Sequence, residues 1–187
     1  MCNLKSSLSC YYELYSVVKP GSNTSELNET AKEVVSQLSH DDLLVNCSGT
    51  NDYELNEFSL TLQNIKNFIK SNSQTNFILM NFSFWYDLPN SISVNSSISV
   101  VNRKLKELVK VFPYASFLET GNNRNLFAVH GLNPNKLGKS LVNYQIASLI
   151  HFTFEQKTSY PIILGWHETQ DNNNLSSDGN QQELKSQ

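Results

Sequence analysis

The sequence predicts a three-layer α/β domain, in which a mainly parallel β-sheet is covered by helices on both faces. Four short apolar runs of strand length alternate with longer segments whose apolar residues recur at helical spacing. Parallel neighbours in a sheet need crossover connections, and each crossover helix covers one face of the sheet. The alternation therefore indicates successive βαβ units.

Each predicted strand is a short run of aliphatic, β-branched or aromatic residues. The four runs are residues 13–18, 42–47, 76–82 and 115–118. Helical periodicity covers residues 27–38, 58–69, 98–112 and 135–150. A hydroxyl oxygen at Thr24 or Ser25 can accept from the unpaired amides of a first turn, so we expect one of them to cap the first helix.

The alternating pattern stops near residue 156. Residues 156–187 are mainly polar, and such a segment buries too little apolar surface to offset its ordering entropy. We therefore expect a domain of residues 1–155 and a disordered tail. Within that tail, the apolar stretch YPIILGW at residues 160–166 either docks on the domain or binds a partner.

Charge and cysteine content exclude several kinds of protein. A net charge of −3 gives no global attraction for nucleic acid or anionic lipid. There is neither a signal peptide nor an apolar run of about 18 residues, so we expect no membrane contact and an intracellular, cytoplasmic protein. The three cysteines are widely spaced and match no zinc or disulfide pattern, and nothing in the sequence indicates a metal or a cofactor.

Three loops follow predicted strands and are rich in small and polar residues. They contain VKPGSNTSE after the first strand, CSGTNDYE after the second and HGLNPNKLGK after the fourth. Functional groups in open α/β sheets gather at the carboxyl ends of the strands, because the loops converge there. We expect the functional site at this edge.

In these loops the sequence resembles the SGNH, or GDSL-type, hydrolase superfamily, and more closely an SGNH-like domain of arthropod proteins. GTND at residues 49–52 is similar to the family's third block, G-x-N-D, and Gly21 to the second-block glycine. HGLNPNKLG lies where the fifth block, D-x-x-H, is expected. The resemblance covers residues 12–150 and implies a flavodoxin-like sheet and the chemistry of a serine esterase.

The resemblance also implies roles for individual residues. In the family a serine attacks an acyl ester, a histidine takes its proton, and an aspartate orients the histidine. Gly21 and Asn51 match oxyanion donors. His130 matches the fifth-block aspartate and Asn133 the histidine, but an amide cannot act as a base near neutral pH. His130 and Asn133 are therefore vestigial catalytic positions, and a pair between His130 and Asp52 or Asp87 would be only part of a triad.

The G-D-S block that carries the nucleophile is absent. In the family it lies on a central first strand upstream of the VKPG loop, where this sequence has too few residues to hold it. We therefore expect that strand to be missing, either because the chain is truncated or because the gene copy has decayed.

Other residues near the loops are candidates for binding. Gly49, Asp52, Trp85 and Tyr86 could form the wall of a pocket for an acyl chain or a stacked base, or they could belong to ordinary turns and packed loops. Cys47 is either a small buried thiol or a substitute nucleophile. A basic helix face is either solvated or binds RNA. Its cationic residues are Arg103, Lys104, Lys106 and Lys110.

These observations predict a degenerate SGNH-like protein without esterase activity, which retains part of the oxyanion pocket and has a small acyl ligand as its candidate partner. Two alternatives stay open. The chain could be a fragment of an SGNH-type esterase whose serine block lies upstream. It could also be a noncatalytic domain that binds RNA or protein.

Overall fold

A computed structural model describes residue 8 and residues 12–49, 51–53, 58–87, 91–131 and 133–155. The predicted tail of residues 156–187 lies outside these ranges. The strands are β1 (Leu43–Asn46), β2 (Asn76–Met80) and β3 (Ala115–Leu118). The α-helices are α1 (Thr24–Val35), α2 (Phe58–Ser71), α3 (Ser91–Val109) and α4 (Lys136–Glu155). Short 3-10 helices cover Asn51–Tyr53 and Arg124–Leu126.

The three strands form one parallel sheet in the order β1-β2-β3. Leu43 is opposite Asn76 in the first pair, and Phe77 is opposite Ala115 in the second. Helices connect the strands and cover both faces of the sheet, which confirms the predicted α/β architecture and is consistent with a flavodoxin-like fold. All four predicted helices are present.

The predicted strand at residues 13–18 is wrong. Within the described residues this segment forms no strand, and Tyr15 and Val18 are 78% and 76% exposed. The run has the composition of a strand, but backbone N–H and C=O groups form a strand only when another strand pairs with them. No described strand pairs with this segment.

Side chains of β2 alternate between two cores, because successive residues of a strand point to opposite faces. Phe77 and Leu79 pack in a core with α2 and α3, whereas Ile78 and Met80 pack in a second core with α4 and the buried Leu8. A fully buried aliphatic side chain of this kind stabilises the fold by about 1.5–3 kcal/mol. Apolar packing therefore holds helices against both faces of the sheet.

The first helix begins earlier than expected, because its N-cap precedes both Thr24 and Ser25. Asn23 is the N-cap, and its side-chain oxygen accepts from the amide of Glu26 at 2.9 Å. Thr24, which we expected as a cap, is instead the first helical residue and is fully buried. Its hydroxyl is used in a contact across the molecule that sequence patterns did not reveal.

Candidate functional site

A cavity of about 350 Å³ lies at the carboxyl edge of the sheet. Residues that follow each strand contribute to its wall: Cys47 after β1, Ser83 after β2, and Thr120 after β3. The first turns of α4 contribute Gly138, Lys139, Leu141 and Val142. This is the edge at which open α/β sheets bind ligands, and the volume suits a small molecule.

The wall of this cavity is mainly apolar. Its large apolar residues are Met80, Leu126, Phe127, Leu141 and Val142. Among the described residues of the wall, the titratable side chains are those of Cys47 and Lys139, and no histidine, aspartate or glutamate is present. The wall can therefore cover an apolar ligand, but it provides no carboxylate or imidazole to act as a general base.

Cys47 is solvent-accessible because it lines the cavity, yet protein atoms surround its sulfur closely. This partial burial raises the pKa of the Cys47 thiol, because desolvation disfavours the thiolate. The reactive form of a cysteine is the thiolate, so the environment weakens Cys47 as a nucleophile near neutral pH.

Asp52 of the GTND segment is buried and holds three parts of the chain together. One carboxylate oxygen accepts from the backbone amide and the hydroxyl of Thr24, at 3.0 and 2.9 Å. The other accepts from the hydroxyl of Thr61, at 2.7 Å. The carboxylate thus joins the start of α1 to α2, and its charge is favourable at a helix N-terminus. All these contacts are with the protein itself.

Asn51 and Gly21 lie in neighbouring loops, as the resemblance implies. The side-chain amide of Asn51 donates to the backbone carbonyl of Ser22 at 2.9 Å. Gly21 occupies a tight turn with φ of +75°, closed by a bond from the Ser22 amide to the Lys19 carbonyl. One amide hydrogen of Asn51 is therefore used to hold this turn. Neither residue lines the 350 Å³ cavity.

Gly49 lies directly against the ring of Phe82. A Cβ atom at this position would be 2.0 Å from two ring carbons, and the backbone φ is +100°. The glycine of the GTND segment is therefore required by packing and by backbone conformation. It does not line the cavity.

Two asparagines of α3 hold the aromatic segment that follows β2. The amide of Asn102 bonds both the N–H and the C=O of Phe82, at 2.8 and 2.9 Å. Asn95 does the same for Trp85, at 2.8 and 2.7 Å. Their spacing places both on one helix face, a signal that sequence patterns could have offered. Trp85 is only 6% exposed and packs in the core, so it does not line the cavity.

Tyr86 and Arg124 fix the loop that contains His130. The Tyr86 hydroxyl donates to the Asn122 carbonyl, and the Arg124 guanidinium lies 5.6 Å from the Tyr86 ring centroid. Arg124 also donates to the carbonyls of Ala128 and Val129, at 2.8 and 2.7 Å. Sequence patterns did not reveal this role of Arg124.

His130 is exposed. Among the described residues it forms no ion pair with Asp52 or Asp87. Asn133, three residues further, lines the 350 Å³ cavity together with Cys47. Residue 133 of this loop therefore borders the cavity, whereas His130 does not.

The basic face of α3 borders a second cleft, of about 300 Å³. Arg103 and Lys106 line it together with Phe84 and Phe117. Lys106 forms an ion pair with Glu119 at 2.8 Å, and the hydrogen bond to Glu119 raises the pKa of Lys106. Lys110 pairs with Glu107 at 2.7 Å, whereas Lys104 is exposed. Acidic neighbours thus neutralise part of the positive charge.

The described part of the chain contains neither a cluster of metal ligands nor a helix that could span a membrane. Within it, no group of three histidine, cysteine, aspartate or glutamate side chains is arranged to hold a metal ion. None of its helices has the length and apolar character needed to cross a membrane.

No protein-family model and no curated protein matches the chain. A solved structure is similar to it, described as "a putative platelet activating factor from Streptococcus pneumonia", with a TM-score of 0.63 and 16% sequence identity. The match covers 79% of this chain and 77% of the other. At this level of identity the likeness shows a shared fold.

Proposed function

We propose that this chain is an SGNH-like protein without esterase activity that binds a small, largely apolar ligand, such as an acyl chain, in the 350 Å³ cavity. The observation that carries the proposal is the composition of the cavity wall, which is apolar and contains no histidine, aspartate or glutamate among its described residues. Such a wall favours burial of an apolar group but supplies no general base.

The oxyanion-type residues are a retained part of the ancestral site in this proposal. Asn51 and Gly21 remain in adjacent loops, joined through the bond from Asn51 to Ser22. At the position of the family's base, Asn133 presents an amide, which cannot take a proton from a nucleophile.

The test measures ester turnover and ligand binding on the same purified chain. We expect no hydrolysis of p-nitrophenyl butyrate above the buffer rate, and saturable binding of octanoate by calorimetry. Val142→Trp fills the cavity and should weaken octanoate binding by about tenfold or more, which is about 1.4 kcal/mol. Val111→Trp is the control, because Val111 is 71% exposed and lies outside the cavity wall. Turnover that Asn51→Ala abolishes would refute the absence of esterase activity, and equal binding by both variants would refute the site.

RNA binding is a second candidate, favoured by the cleft beside α3. There, the cationic side chains of Arg103 and Lys106 lie beside the aromatic side chains of Phe84 and Phe117, a combination suited to a phosphate and a stacked base. We expect salt-dependent retention of single-stranded RNA that is lost when Arg103, Lys104 and Lys106 are all changed to glutamate. Failure to retain RNA at low salt would remove this candidate.

A further inference from the structure

In the part of the chain that the structure describes, strand β1 has one unpaired edge. It bonds to β2 along one side, and within the described residues no strand bonds to the other side. Three of the four residues of β1 are only partly buried, whereas four of the five residues of β2 are buried. A row of unpaired N–H and C=O groups is costly in a sheet and is a ready site for another strand.

The chain before α1 passes from one end of β1 to the other without pairing with it. Tyr12 packs in the core that includes Leu43, at the start of β1. Ser22 bonds to Asn51, beyond the end of β1. The chain between them therefore runs in the direction of β1, yet no hydrogen bond joins the described residues 13–18 to β1. We call the space between residues 13–18 and β1 the β1 slot.

The topology determines from which side the chain can enter this slot. Helices α2 and α3 pack on one face of the sheet, while α4 packs on the opposite face. Crossovers between parallel strands are right-handed, so helices on the first face advance the chain from β1 toward β3. A helix on the opposite face must return the chain toward the free edge of β1.

Helix α4 ends where the slot begins. Phe154, in its last turn, lies 5.5 Å from the ring centroid of Tyr12, and His151 lies 6.1 Å from it. A strand that followed α4 closely would therefore enter the slot at the same end as β1 and run parallel to it.

We propose that residues 160–166, YPIILGW, occupy the β1 slot as a parallel strand. A strand covered on both faces reads as a continuous apolar run, and Ile162, Ile163 and Leu164 form such a run. Pro161 precedes them at the start, where a missing N–H is tolerated. Four residues, 156–159, connect the end of α4 to this segment, a length typical of αβ loops. The segment pairs with β1 and supplies residues 13–18 with a neighbour.

Amide hydrogen exchange on the full chain tests this pairing directly. The reporters are the backbone amides of Leu43–Asn46 that do not bond to β2, and the amide of Leu79 in β2 reports whether the domain is folded. We expect the β1 reporters to be protected in the wild type. Ile163→Asp should accelerate their exchange by roughly tenfold or more while Leu79 stays protected.

Leu175→Asp is the matched control, because it places the same charge in the polar part of the tail and should leave β1 protected. Three results would overturn the proposal. The β1 reporters could exchange without protection in the wild type, they could stay protected in Ile163→Asp, or their protection could fall on dilution. The last result would show that a second copy of the chain fills the slot. The wild-type measurement stands even if Ile163→Asp does not fold.

Discussion

The carboxyl edge of the sheet contains two regions that use their side chains differently. Around Asp52, polar side chains bond to the protein itself and join α1 to α2. Around the 350 Å³ cavity, the wall is mainly apolar, and few polar groups face the open space. The GTND residues that carry part of the family resemblance thus stabilise loops, while the open space lies beside Asn133 and Gly138 of the HGLNPNKLG segment and beside apolar residues that no motif marks.

Among the changes predicted here, loss of Asp52 should lower the free energy of unfolding most. Asp52→Ala removes the acceptor for three hydrogen bonds in a buried place, so we expect it to lower the free energy of unfolding by about 4 kcal/mol. Urea unfolding followed by circular dichroism measures it. Asp41→Ala is the control at an exposed residue and should change the value by less than about 0.5 kcal/mol. Equal effects of the two variants would contradict a structural role for Asp52.

An added methyl group should destabilise the fold more at Gly49 than at Gly21. Gly49→Ala places a methyl group against the Phe82 ring at a positive φ, so we expect it to cost about 3 kcal/mol of stability. Gly21→Ala meets no atom within 4 Å and should cost only the backbone term, about 1–2 kcal/mol. Thermal and urea unfolding measure both. A larger loss of stability in Gly21→Ala than in Gly49→Ala would show that the surroundings of Gly21 are packed more tightly than those of Gly49.

The asparagine contacts of α3 should have a smaller effect. Asn102→Ala leaves the N–H and C=O of Phe82 without their side-chain partner, and we expect a loss of about 2 kcal/mol in urea unfolding. Asn67→Ala is the control, since Asn67 is exposed on α2. If the two variants have the same free energy of unfolding, Asn102 does not hold the aromatic segment.

The smallest expected effect is the pH dependence of stability that arises from the Cys47 thiol. Because burial raises the pKa of Cys47, folding favours the neutral thiol. The corresponding stability is present below the pKa of the unfolded thiol and is lost as the pH rises through the higher folded pKa. Iodoacetamide modification of Cys47, mapped by mass spectrometry, should therefore reach half its maximal rate at a higher pH in the folded chain than in urea. A lower midpoint in the folded chain would indicate an activated thiolate instead.

Local sequence patterns were sufficient to predict the helices whose apolar residues recur with a strong period. Leu105 and Ile98 recur on one face of α3, and both are buried in the core. Hydrophobic periodicity encodes such a helix within a short stretch of sequence, because burial of one face provides most of its stability. The contact between the loops of Gly21 and Asn51 is different, because it joins Asn51 to Ser22, which is 29 positions away in sequence.

The sequence by itself determined the alternation of helices and strands from α1 to α4 and the residues that resemble the SGNH blocks. Only the tertiary structure decided which of those residues face a cavity. Trp85 is buried, Asp52 bonds to Thr24 and Thr61, and residues 13–18 form no strand within the described chain. The physical reason is that periodicity and capping depend on near neighbours in sequence, whereas strand pairing and polar contacts depend on residues that are distant in sequence and brought together by packing.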